Sequence, residues 1–286
     1  MDHVILTRFN LPSAGAESVV RAKHGWLTER IELFENYCLP SVLAQTERRF
    51  RWLFYFDPES PAWLKERIAS HAGHYVPVFR TQVGREELMA DISDLFAAKG
   101  DELLTSNLDN DDGLAVDFVE RLQSQPRPAT STAYYLSNGL IKSPDGLFHH
   151  HDRHNAFASV RSRWQSPITC WADWHNRLAN HMPVVEVEGA PGWLQVVHGG
   201  NVSNRTRGRL VSPKPYGELF GTSLDDVAEP GGRTLLRDRF VGHPLRMARD
   251  RARFVVKTAV LKVLGADGFE RAKRLLAARG KTGVPS

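Results

Sequence analysis

The first 125 residues alternate two hydrophobic rhythms. Short apolar runs at His3–Arg8 (HVILTR), Phe50–Phe56 (FRWLFYF), Tyr75–Phe79 and Glu102–Leu108 have the length and composition of buried strands. Between them, apolar residues recur every three or four positions. Leu27, Ile31, Phe34, Leu39 and Leu43 predict a helix over Trp26–Gln45, which Pro40 bends or divides. Pro61–Ala72 reads as a helix with proline in its first turn. Glu86–Lys99 reads as another, with Leu88, Ile92, Leu95 and Phe96 on one side, and Ala115–Gln125 as a fourth. Strand–helix alternation of this regularity predicts an α/β fold with a parallel sheet flanked by helices.

After Pro126 the rhythm shortens. Thr132–Lys142 and Leu147–His150 predict a hairpin around Pro144-Asp145-Gly146. Ile168–Trp174, Val184–Val187 and Trp193–Val197 read as further short strands, and the polar stretch Asn201–Gly232 as loop. Two helices, over Pro244–Leu264 and Phe269–Ala278, are expected to follow. The organisation read from this pattern is one α/β domain in two halves, 1–125 and 126–232, and a helical tail, 233–286.

Composition narrows the class. With 286 residues, 42% hydrophobic and 24% charged, the chain is neither disordered nor fibrous. Cys38 and Cys170 are too few for a disulfide framework and lie outside any CxxC spacing. The start lacks the basic-then-apolar pattern of a secretory signal. No run reaches the ~18 apolar residues of a membrane span, so a cytoplasmic location is expected. The net charge of +4 hides a division. Residues 233–286 carry 14 Lys/Arg against 4 Asp/Glu, a balance of +10, which leaves −6 for the rest. Few aromatics in the tail and an acidic body argue against nucleic acid as a partner. The tail is expected to pack on the body, to make a dimer, or to touch an anionic membrane, the last placing the protein at the inner face of the membrane.

The chemistry concentrates in Leu108-Asp109-Asn110-Asp111-Asp112-Gly113. Directly after a buried strand, positions i and i+2 face the same way, so Asp109 and Asp111 can address one cation. Two carboxylates suit Mg²⁺ or Mn²⁺, which keep other positions for water and phosphate oxygens. Asp112 is placed to cap the next helix. His149, His150, His151 and His154 make a poor metal site, because adjacent strand residues point to opposite faces.

HVILTRFN, WLTERIELFENYCLPSVLAQ, FRWLFYFD, LDNDDGL and WLQVVHGGNVSNR together resemble a bacterial rhamnosyltransferase family over most of residues 3–210. That family looks like glycosyltransferases of the GT-A type. The resemblance implies a mixed sheet with a parallel nucleotide-binding half, and a DxD pair that holds a divalent ion on a nucleotide-diphospho-sugar. It makes Thr7, Arg8 and Asn10 candidates for base or ribose contacts and Asp57 for the base or ribose, although Asp-Pro after a strand is also a common turn. Arg30 lies in the family-like helix, where a solvated arginine is expected. His198, at a strand end before Gly199-Gly200, becomes a metal or diphosphate ligand, and Arg205, after Asn201 and Asn204, a neutraliser of the leaving diphosphate. Asp173 in CWADWH is the expected catalytic base, with His175 its competitor and a helix cap its structural alternative.

The function expected from the chain is a metal-dependent glycosyltransferase. It would move a sugar, rhamnose by the family's name and with inversion, to a hydroxyl-bearing glycan or lipid-linked acceptor. The alternatives are a metal-dependent phosphohydrolase and a non-catalytic lipid- or partner-binding protein.

Overall fold

The computed structural model describes residues 1–12, 25–198 and 205–252. The first apolar run lies at the middle of a sheet: β1 (Asp2–Arg8) pairs in parallel with β2 (Arg51–Phe56) on one side and β4 (Glu102–Asn107) on the other, and β3 (Val76–Phe79) extends the row beyond β2. Val4, Ile5 and Leu6 are all completely buried, because both faces of the sheet are covered. A strand so covered reads as an unbroken apolar run rather than an alternating one.

The expected helices are present with shorter bounds: α1 (Trp26–Leu33) and α2 (Leu39–Leu43), α3 (Ala62–Ser70), α4 (Arg85–Asp94) and α5 (Phe118–Gln123). Pro40 does not end the first of these. A wide turn, Phe34–Cys38, joins α1 to α2, with the Leu39 N–H reaching back to the Phe34 carbonyl. This π-type spacing absorbs the N–H that Pro40 lacks. Against the sheet, Phe34, Trp52, Phe54, Phe56 and Tyr75 form an aromatic core, with Trp52 and Phe54 stacked at 5.3 Å.

Beyond β4 the sheet becomes mixed. β9 (Ser159–Arg163) runs antiparallel to both β4 and β6 (Thr132–Leu136), and β10 (Val184–Val187) runs parallel to β6. The seven-stranded order is β10-β6-β9-β4-β1-β2-β3. A second sheet has the order β12-β8-β7-β11-β5, from β5 (Gly113–Leu114), β7 (Asn138–Ser143), β8 (Gly146–His151), β11 (Trp193–Val196) and β12 (Arg209–Val211).

Three expectations for the second half need correction, and one strand was not expected. Thr132–Lys142 is not one strand: it divides at Ser137, with β6 in the first sheet and β7 in the second, and only β7 makes the hairpin with β8. Ile168–Trp174 forms no strand, because side chains take its backbone bonds. Ser162 Oγ bonds both the N–H and the carbonyl of Ile168, and the Cys170 N–H donates to Thr105 Oγ1. β9 escaped the apolar pattern because its sequence, SVRSR, is mostly polar. Its side chains are nevertheless paired in the sheet, through Ser159 to Ser106 and Arg161 to Glu102. The 201–232 stretch contains β12 and several helical turns between Lys214 and Leu224.

The first of the two expected tail helices starts earlier than read. It is helical from Gly232, passes through a wide turn at Asp238–Gly242, and continues to residue 252. The remainder of that helix, and Phe269–Ala278, lie outside the described residues. No helix among the described residues is long and apolar enough to cross a membrane.

Gly139 explains how the second sheet seats its largest side chain. A Cβ there would stand 2.1 Å from the Trp193 indole, which lies against the bare backbone, stacks on Phe157 and donates to the Leu136 carbonyl at 2.8 Å. At the start of the first sheet, His3 is also buried. Its Nδ1 accepts from Gln123 Nε2, so its Nε2–H donates to Ser106 Oγ at 2.9 Å. Burial lowers its pKa to about 3. An unfolded chain takes up that proton near pH 6.5 and the folded one resists it, so stability is lost as pH falls from about 6.5 towards 3. At pH 4.5 the loss from this group amounts to about 2–3 kcal/mol. Urea unfolding at pH 7 and 4.5 should show that increment in the wild type and its absence in His3→Gln.

Candidate active site

The acidic segment is a strap between the two sheets. It leaves β4 in the first sheet at Asn107 and reaches β5 in the second at Gly113, where β5 pairs with β11. Its inward positions are fixed by hydrogen bonds. Leu108 N–H bonds the Leu6 carbonyl at 3.0 Å, and Asn110 Nδ2 donates to the carbonyls of Arg8 (2.6 Å) and Phe9 (3.1 Å). Asp112 does not cap a helix. β5 intervenes, and Asp112 Oδ1 accepts the Val196 N–H at 2.8 Å instead. Burial, followed by the charges of Asp111 and Asp109, pushes the Asp112 carboxyl well above its usual range.

Asp109 and Asp111 share this strap but not the same surroundings. Asp109 is exposed, with Asn107 Nδ2 near its Oδ1 at 3.4 Å. Desolvation by the surrounding protein, and the Asp111 charge after it, raise its pKa to about 6. Asp111 is buried, and its Oδ2 meets Arg30 Nη1 at 2.5 Å and His198 Nε2 at 3.1 Å. Burial opposes ionisation there, but the His198 hydrogen bond and the Arg30 guanidinium outweigh it and hold Asp111 below the ordinary carboxylate value. Arg30 is therefore not a solvated arginine. Its side chain is 13% exposed and lies 5.0 Å from the Trp26 ring, one helical turn earlier.

Arg8 flanks the other side. Its guanidinium sits 3.9 Å over the Trp171 ring, whose Nε1–H donates to Asn107 Oδ1 at 2.7 Å. Asn107 thus links Trp171 to Asp109. The strap carries two carboxylates that feel the charges of two guanidinium groups, each guanidinium beside an indole. Neither Trp26 nor Asn107 stood out in the sequence. Arg30 could have been found from its spacing of four from both Trp26 and Phe34, which are core residues.

The expected three-residue metal set is only partly assembled. Asp111 and His198 are together, but no group of three His, Cys, Asp or Glu converges to hold an ion among the described residues. The donor chemistry fits a narrower role. Two hard carboxylates suit a Mg²⁺ or Mn²⁺ ion that draws the rest of its shell from water and phosphate oxygens.

Thr7 and Asn10 are tied into the fold. Thr7 is completely buried and its hydroxyl accepts the Trp52 Nε1–H at 2.9 Å, so it offers nothing to a base or ribose. Asn10 is buried too, donating to Ser60 Oγ and accepting the Asp57 N–H. Asp57 makes the turn that Asp-Pro suggested, its Oδ1 accepting the Glu59 N–H, and remains half-buried at the end of β2. Asp173 is held by His181 Nε2 at 2.7 Å and by the Trp174 N–H, which together keep its carboxyl below the usual range and make it a poor base. It makes no side-chain cap on the helical turn His175–Asn180. His175 is partly buried, with its pKa lowered by burial, and its carbonyl accepts the Tyr135 hydroxyl. Arg205 is exposed, while Asn201 and Asn204 lie outside the described residues. His149–His151 lie on β8, where His150 turns its ring edge to Trp193.

Residues 2–210, which contain the strap, both flanking arginines and His198, match the family described as "Putative rhamnosyl transferase". The chain belongs to this family. By family it is therefore a glycosyltransferase. No curated protein matches the chain. Solved structures that resemble it include a "putative nucleotide-diphospho-sugar transferase" from Desulfovibrio desulfuricans G20, at 11% identity over 69% of this chain and 83% of that one, with a TM-score of 0.37. The inositol-1-phosphate CTP transferase from T. maritima is 12% identical over 80% of this chain and 98% of its own, with a TM-score of 0.38. S. aureus TarS 1–349 in complex with UDP is 11% identical over 84% and 72%, with a TM-score of 0.39.

Proposed function

We propose that the acidic strap and its flanking arginines bind a nucleotide-diphospho-sugar and transfer its sugar to a hydroxyl acceptor, a glycan or a lipid-linked saccharide. Rhamnose is the sugar that the family's description favours, with its deoxythymidine-diphosphate derivative as the proposed donor and inversion at the anomeric carbon. The observation that carries the proposal is the Asp109–Asp111 strap between Arg8 and Arg30, at the carboxyl ends of parallel strands. Open α/β sheets hold their ligands at that edge.

A divalent ion at Asp109 and Asp111 would supply Lewis-acid stabilisation of the departing diphosphate. The protein's own groups do the rest. Arg30, preset against Asp111 by Trp26 and the helix, presents positive charge without reorganising, as does Arg8 on Trp171. Placed in advance, these charges favour the diphosphate as its negative charge grows. Asn107 keeps Trp171 and Asp109 in register. A two-metal phosphohydrolase would need a further acid cluster, and none is found among the described residues.

Thermal shift with nucleoside diphosphates tests the proposal. One of dTDP, UDP or GDP with Mn²⁺ should raise Tm by several degrees beyond the sum of either component alone. No nucleotide-dependent shift in the presence of Mn²⁺ would sink it, and phosphate release from a generic phosphoester would favour the hydrolase.

A further inference from the structure

The 232–252 helix is amphipathic in the unexpected sense: much of the face it turns to the body is polar. Asp238, buried, accepts the Leu210 N–H at 2.8 Å and pairs with Arg246 at 2.6 Å. Arg246 in turn donates from Nε and Nη2 to the Gly208 carbonyl and lies 4.8 Å over the Phe148 ring. Asp250 faces Arg207 at 3.8 Å. Gly242 makes room for this pairing, since a Cβ there would stand 2.5 Å from Asp238 Oδ1. Of the apolar residues only Leu235 turns inward, against the core.

The outward face is apolar. Leu236, Phe240, Val241, Leu245 and Met247 are between 49% and 70% exposed. Five large apolar side chains exposed on one short helix exceed the scattered single residues of an ordinary surface and mark a contact site. Around it stand the exposed cations Arg233, Arg237, Arg239, Arg249 and Arg251. A cleft of about 340 Å³ between Arg239 and Leu236 on the helix and Arg209 and Tyr216 on the body opens beside the patch.

We infer that this face docks the protein in the plane of an anionic membrane, with Phe240 and its apolar neighbours in the acyl boundary and the arginines among the headgroups. Charge complementarity selects this occupant. A protein partner would need a dense acidic surface around an apolar centre, whereas an anionic bilayer offers both along its whole area, and each arginine near it strengthens binding about fivefold. The docking goes beyond sugar transfer and stands independently of it. The polar inner face follows from the same role, because hydrogen bonds hold the helix while its apolar side chains stay available.

Co-sedimentation of the full chain with vesicles tests the inference. The protein should partition into phosphatidylcholine vesicles containing 30 mol% phosphatidylglycerol, and not into phosphatidylcholine alone. Phe240→Glu combined with Met247→Glu should weaken partitioning by at least about tenfold, with circular dichroism, Tm and the Mn²⁺–nucleotide thermal shift unchanged. Phe240→Trp should move its emission to the blue on adding the anionic vesicles. Undiminished partitioning in the double variant, or no blue shift, overturns the proposal. So does a fall in Tm of the double variant, which would mean that the chain itself covers the face, or a dimer that the substitutions dissociate.

Discussion

Asp109→Asn is expected to lower sugar transfer by about a hundredfold or more while leaving the fold intact, and Asp111→Asn to do at least as much. The two variants lose different things. Asp109 is the exposed acid, so removing its charge costs the folded protein little, and relieving its crowding by Asp111 favours the fold slightly. Tm should therefore hold while Mn²⁺-dependent nucleotide binding disappears. Asp111 organises Arg30 and His198 as well, and without its charge both are released from their positions. Its loss should weaken nucleotide binding even where Mn²⁺ is omitted. Titration calorimetry with and without Mn²⁺, beside product formation, separates the two effects. Unchanged turnover in both variants would remove the strap from the reaction.

Arg161→Met is expected to destabilise the protein by about 3–5 kcal/mol, the largest effect of any single substitution proposed. Arg161 and Glu102 are both buried and lie diagonally across the β4–β9 pair. The guanidinium reaches Glu102 Oε2 at 2.5 Å through Nη2 and at 3.2 Å through Nε, and also donates to the Gln125 carbonyl. Removing the arginine leaves the carboxylate in the sheet with only Arg127, a half-exposed partner at 3.3 Å. A charge left in that position costs more than the pair was worth. The double variant Arg161→Met, Glu102→Leu should recover most of the loss, because no charge then remains to be buried. Equilibrium urea unfolding of the four proteins measures the cycle. If the double variant is no more stable than Arg161→Met alone, burial of the orphaned carboxylate is not the cause.

Legibility in the sequence followed burial on both faces. The apolar centres of β1 (Val4, Ile5, Leu6) and β2 (Trp52 to Phe56), and Leu103-Leu104 in β4, are covered on both faces, and these strands were readable to within a residue or two. β9 was not, because Ser159 bonds Ser106, Arg161 bonds Glu102 and Ser162 bonds the Ile168 carbonyl, and polar pairs leave no hydrophobic period. At the site, Asp109 and Asp111 stood out because clustered acids at the end of an apolar strand are costly. The arginines were harder. A sequence states that Arg30 lies on a helix, but its burial depends on Asp111, 81 positions away. Thr7 misled for the opposite reason. A strand-end hydroxyl looks available until Trp52, on the neighbouring strand, is seen to use it.

The interleaving of the two sheets bears on how such an enzyme can be re-engineered. β6 and β7 are adjacent in sequence yet belong to different sheets, and the acidic strap makes the same passage from β4 to β5. The second sheet therefore has no contiguous gene segment of its own. A chimera joined near residue 126, with one half from each of two parents, would have to form β5–β11 pairing and a β4–β9 seam between foreign partners. Acceptor preference is better transplanted through single loops, with every strand left to its original neighbours.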